Sequence, residues 1–159
     1  MCNFLSAKFT RQGKLYAAPG VDSHTLITKL YSINEGPLDQ NAVSLELIPR
    51  WHESGEPDFD ASELRLDQEM RPEWLDDEMM DSARRQMVGI LRRMYVNEPR
   101  VVLECGEYIL GPGANIENAG YALIRWAAKG ATIQDAGYAT IQNAWYATIV
   151  NPQNAKISK

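Results

Sequence analysis

Hydrophobic positions recur along this chain at three different spacings, and each spacing predicts a different kind of element. In residues 3–18, NFLSAKFTRQGKLYAA, the run Phe4–Phe9 alternates imperfectly, and RQGK places Gly13 where a hairpin needs positive φ. Two short strands around a turn follow from this, ended by Pro19 and Gly20. In VDSHTLITKLYSI, Leu26, Ile27, Leu30 and Tyr31 recur at helical spacing behind Asp22 or Ser23, either of which serves as N-cap. AVSLELIPR returns to alternation and puts Val43, Leu45 and Leu47 on one face of a strand. Pro49 confines that strand to a sheet edge or places the proline near the strand's end. ELRLD adds one more short strand.

The longest helical pattern runs from about Pro72 to Tyr95. Leu75, Met79, Ala83, Met87, Ile90, Leu91 and Met94 form one apolar stripe, read as core packing rather than as an adaptable groove. Pro72 suits the first helical position. Glu73, Asp76, Asp77 and Glu78 complement the positive end of the helix, and Arg92 and Arg93 the negative end. Gly89 inside the pattern costs about 1 kcal/mol relative to Ala. RVVLECGEYILG is strand-like, with Val101, Val102 and Leu103 expected inside. The GPG at 111–113 then divides an expected body, residues 1–110, from a tail, residues 111–159.

The tail has a period of its own. Ile116, Ile124, Ile133, Ile141, Ile149 and Ile157 are separated by eight residues except for one step of nine, which assigns an extra residue to WAAKGAT. Ala114, Ala122, Ala131, Ala139, Ala147 and Ala155 each stand two positions earlier. A helix would rotate such a stripe by about 80° per unit, whereas in a strand Ala and Ile share one face. Tyr121, Tyr138 and Tyr146, with Thr132, Thr140 and Thr148, then look outward from the extended segment, and Asn-Ala-Gly forms the turn. No unit can bury its Ile alone, so units must stack. Two octads make a coil of sixteen residues, and a parallel solenoid is preferred to an antiparallel meander. The tail resembles the short-repeat β-solenoids in general, including pentapeptide-repeat and hexapeptide left-handed helices. The resemblance implies an architecture and no catalytic residue, and the Ala-x-Ile octad departs from both patterns.

Charge changes the picture in one place. The net charge is −5, yet residues 52–81 carry twelve Asp/Glu against two Arg, so this segment is −10 and the remainder +5. A field of that sign favours a basic partner and disfavours direct nucleic-acid binding. No long apolar run suggests a membrane span or signal peptide, so a cytoplasmic protein is expected. Cys2 and Cys105 make neither a disulfide framework nor a CxxC metal motif. His24 and His52 are the only imidazoles, so a zinc site would have to be assembled from distant pieces; no metal and no cofactor are expected.

One terminus carries a chemical suggestion. Met1-Cys2 resembles the start of class II glutamine amidotransferases and abasic-site-crosslinking proteins, which open Met-Cys-Gly; here Asn3 replaces the glycine. That resemblance implies Cys2 as a nucleophile exposed by removal of Met1, with its own amine as base. Asp22 and His24 of DSH are the accompanying candidates for acid–base work.

The sequence therefore predicts an α+β protein, a small N-terminal sheet with one long and one short helix followed by a β-repeat. The functional expectation is a non-enzymatic interaction or assembly protein, with homo-oligomerisation through the tail and a basic protein partner. A phosphate-mimicking decoy of the phage counter-defence type is one form of it. Its binding surface is expected at Asp76, Asp77, Glu78, Tyr121, Tyr138, Tyr146, Thr140 and Thr148. The alternative is a hydrolase or transferase using Cys2.

Overall fold

The computed structural model describes residues 5–18, 20–37, 40–144 and 147–158, apart from the side chain of Val101. The chain divides into two units. The first comprises residues 1–50 and 58–92, and the second residues 51–57 and 93–159.

The first unit is an antiparallel sheet with two helices. Its strands are β1 (Leu5–Thr10), β2 (Leu15–Tyr16), β3 (Ala42–Trp51) and β4 (Pro57–Leu66), in the order β2-β1-β3-β4. The predicted β1–β2 hairpin is present, with Gly13 at φ 78° in its turn. Pro49 lies near the end of β3, which is an inner strand. Residues 51–57, the turn between β3 and β4, belong to the second unit.

Alternation gives the β1–β3 pair two unlike faces. Leu5, Ala7 and Phe9 pair with Leu47, Leu45 and Val43, and all six are buried. The opposite face carries Ser6, Lys8 and Thr10 paired with Glu46, Ser44 and Ala42, and these too are buried. Helix α1 (His24–Leu30) lies against β1. Ser23 is its N-cap, accepting from the Leu26 amide. The expected apolar stripe of α1 is not buried: Ile27 is, whereas Leu26, Leu30 and Tyr31 are exposed. This seven-residue helix buries one residue of the stripe; Tyr31, though exposed, lies against the Tyr16 ring at 5.1 Å between centroids and donates its hydroxyl to the Ala17 carbonyl at 2.8 Å.

Helix α2 (Asp77–Met94) begins five residues later than Pro72. Pro72–Leu75 instead form a turn closed by Leu75 N–H to the Pro72 carbonyl at 3.0 Å. Asp76 then caps the helix by accepting from the Met79 amide at 2.8 Å, which fixes the start. Most of the predicted stripe is buried: Leu75, Ala83, Met87, Leu91 and Met94 are inside, and Met79 and Ile90 are half-buried. Arg84 Nε ties α2 to β4 through the Ser62 carbonyl at 3.2 Å.

The second unit is a parallel β-solenoid of about four turns. One sheet contains β6 (Pro99–Val102), β8 (Asn115–Asn118), β10 (Thr132–Asp135) and β12 (Thr148–Asn151). The other contains β5 (Tyr95–Val96), β7 (Glu107–Leu110), β9 (Leu123–Ala127), β11 (Thr140–Ile141) and β13 (Lys156–Ile157). Consecutive octads alternate between the sheets. Ile116 therefore pairs with Ile133 and Ile133 with Ile149, while Ile124 pairs with Ile141 and Ile141 with Ile157. Ile116, Ile124, Ile133 and Ile141 are fully buried with Ala114, Ala122, Ala131 and Ala139. Ala119 and Ala136, assigned to the turn by sequence, are buried as well. Parallel pairing reaches back to β5 and β6, ahead of residue 111. In that first part Leu103 is buried as expected, but Val102 is exposed, because it stands on the outer side of its strand.

The extra residue in the nine-residue step is Arg125. Tyr108 pairs with Ile124 and Ile109 with Trp126, which leaves Arg125 as a β-bulge just before WAAKGAT. Asn143 Nδ2 donates to the Arg125 carbonyl at 3.1 Å, which gives that backbone acceptor a partner at the bulge. The Arg125 side chain is buried and ion-paired with Glu107, and its Nη1 donates to Gln142 Oε1 at 3.2 Å.

Candidate functional site

Tyr121 and Tyr138 lie at the solenoid corners rather than in the strands. Gly120 and Gly137, at φ 53° and 55°, open turns in which the Ala122 and Ala139 amides donate to the Ala119 and Ala136 carbonyls at 3.0 and 2.9 Å. Positive φ at these positions is what makes Gly precede Tyr121 and Tyr138. Tyr121 and Tyr138 are thereby one coil apart and stack at 5.2 Å between centroids and 7° between planes, both exposed. Tyr146 lies outside the described residues. The expected continuous Tyr–Thr ladder is divided, because alternate octads go to alternate sheets. Thr132 pairs with Thr148 on one sheet, whereas Thr140 pairs with Leu123 and Lys156 on the other.

The acidic start of α2 is built differently. Asp76, Asp77 and Glu78 are exposed, with Asp76 used as the cap. Asp77 receives Arg71 Nη2 at 2.8 Å. An exposed pair of this kind contributes roughly 0–1 kcal/mol and leaves both groups hydrated.

The most concentrated polar chemistry is on the buried face of β1 and β3. An open depression of ≈ 930 Å³ beside α1 is lined by Lys8, Asp22, His24, Lys29, Glu35 and Asp67, among others. Lys8 Nζ is ion-paired with Glu35. Ser6 Oγ donates to the Asp22 carbonyl at 3.1 Å, which fastens the segment before α1 to β1. The Asp67 amide donates to the Ser44 carbonyl at 2.9 Å, and the Ser44 amide to Gln68 Oε1 at 3.0 Å. His24 stands between these two anchors, with Nε2 3.0 Å from the Leu45 carbonyl and Nδ1 3.1 Å from Asp67 Oδ2. Asp22 and His24, the acid–base candidates of DSH, thus line one depression, while Cys2 lies outside the described residues. Cys105 is a free, exposed thiol.

Compared with known proteins, the chain matches no family model, no curated protein and no solved structure. No helix among the described residues is long and apolar enough to cross a membrane.

Within the second unit a further cluster escaped the sequence pattern. Glu56 Oε1 accepts from the Tyr95 hydroxyl at 2.8 Å and from Asn97 Nδ2 at 3.2 Å, and Asn97 Oδ1 accepts from the Gly113 amide at 2.7 Å. Trp51 stacks on Trp126 at 4.6 Å. Burial, and then the Glu56 carboxylate, raise the Tyr95 phenol well above its ordinary pKa. No octad rule connects residues 51–57 to the coils, so only the folded chain reveals this contact.

Proposed function

We propose that this is a non-enzymatic interaction and assembly protein whose solenoid joins a second copy of the chain through its last coil. One observation carries the reading. β12 and β13 each have one pairing neighbour among the described residues, and Val150 and Ile157 on them are 60% and 41% exposed. Equivalent strands within the stack have neighbours on both sides. A parallel ladder edge with apolar side chains is a template for another strand, and two such edges related by a two-fold axis close on each other without forming a filament.

Sedimentation velocity over a concentration series tests the assembly. The wild type is expected to reach the dimer mass, and Val150→Lys with Ile157→Lys to remain a single chain with an unchanged melting temperature. A wild type that stays a single chain throughout would refute it.

A basic protein partner is a second reading, supported by the exposed carboxylates of Asp76, Asp77 and Glu78. Salt-sensitive capture of such a partner, weakened when these three become Asn, Asn and Gln, is the outcome it requires.

A further inference from the structure

We propose that His24, Glu46 and Asp67 form a binding site for a divalent transition-metal cation. The three come from the start of α1, the middle of β3 and the residue following β4. One donor atom from each lies within 4.8 Å of the others.

The argument begins at the imidazole. A carbonyl oxygen can only accept, so Nε2, 3.0 Å from the Leu45 carbonyl, carries a hydrogen. In the neutral ring that choice leaves a lone pair on Nδ1. Nδ1 faces Asp67 Oδ2 at 3.1 Å, and the carboxylate also presents lone pairs. Two electron-rich atoms at that separation need a positive species between them, either a proton or a metal ion. Donors held at about 2.1 Å on one ion are roughly 3.0 Å apart at a right angle and about 3.4 Å apart in a tetrahedron. His24 and Asp67 are therefore already at coordination spacing. An imidazole that ligates through one nitrogen and donates from the other to a backbone carbonyl is the usual metal-bound arrangement.

Glu46 supplies the independent observation. It is 5% exposed, and it makes no hydrogen bond or ion pair with a described residue. The residue is thus largely covered, and a carboxylate in such a place is stabilised when something cationic or donating meets it. Its neighbours on the same face do not do so: Lys8 is paired with Glu35, and the Ser6 hydroxyl donates to Asp22. What Glu46 does approach is the His24–Asp67 pair. Two carboxylates neutralise a 2+ ion, and one nitrogen with two oxygens suits Zn²⁺ or Mn²⁺ better than an all-oxygen calcium cage. Three protein ligands also leave coordination positions for water. His24 and Asp67 line the open depression, so solvent reaches the ion.

The test is calorimetric titration of the full chain, stripped with chelator, with ZnCl₂ and separately with MnCl₂. The expected result is one ion per chain for at least one metal. Glu46→Gln and Asp67→Asn should each weaken binding by at least about tenfold, whereas Asp81→Asn, on the exposed side of α2, should leave it unchanged. Asp67 is half-exposed, so its variant keeps the test valid even if Glu46→Gln unfolds the sheet. With Co²⁺ as the probe, a visible absorption band should appear in the wild type and vanish in Asp67→Asn. Absence of binding to the wild type, or equal binding by Asp67→Asn, would overturn the site and leave a proton as the species between His24 and Asp67.

Discussion

In the octads from Ala114 onward the solenoid interior is made of one pair of residue types repeated, Ala and Ile, and the only buried charges among the described residues of this unit are Glu107 and Arg125 at the bulge. In the N-terminal sheet the same two-residue alternation buries an apolar face and, on the other side, Ser6, Lys8, Thr10, Ser44 and Glu46. The first arrangement is redundant, since each coil repeats its neighbour's contacts. The second is particular, since each polar group needs its own partner. At Glu46 no such partner is found among the described residues. The contrast shows where chemistry is to be sought in this molecule: away from the repeat, or at the single residue that interrupts it.

The sharpest way to break the contrast is at that interruption. Arg125→Met removes one member of a buried pair and should destabilise the solenoid by about 3–5 kcal/mol, read from urea unfolding. Adding Glu107→Leu should restore much of the loss. If the single variant were as stable as the wild type, the bulge would be no more particular than the rungs beside it. A smaller effect, about 2–5 kcal/mol, is expected for Ile133→Ala in the packed stack. Leu30→Ala, at an exposed position of α1, should change stability by less than about 0.5 kcal/mol. Equal losses would mean that the stripe of α1 is used after all.

The smallest effect concerns Tyr95. Its phenol is raised in the folded chain, so the unfolded chain ionises first, at a pKa of about 10. Its stabilising contribution is whole below that pH and is lost as pH rises through the folded value. Unfolding midpoints should therefore fall more steeply above about pH 10 in the wild type than in Tyr95→Phe. Parallel pH profiles would show that Glu56 does not grip the hydroxyl in solution.

Much of the architecture was legible because it depends on local period. The octad, the sixteen-residue coil and the burial of Ile124 or Ile133 follow from spacing alone, as do the β1–β2 hairpin and most of the α2 stripe. Where the reading missed, a second influence overrode the period. Asp76 captured the start of α2 by capping, and α1 met a polar face that left Leu26 and Leu30 in water. The Tyr–Thr ladder was divided because a coil holds two octads, so every second rung changes sheet.

By itself, then, the sequence determined which residues repeat, which turn inward and how long a coil must be, because those properties are set by bonds between near neighbours. Only the tertiary structure decided that His24, Glu46 and Asp67 meet, that Arg125 is the bulged residue facing Glu107, and that Glu56 reaches Tyr95. Such contacts join residues roughly 18 to 43 positions apart. Their distances are fixed by how strands pair and units stack, which no spacing within one element encodes.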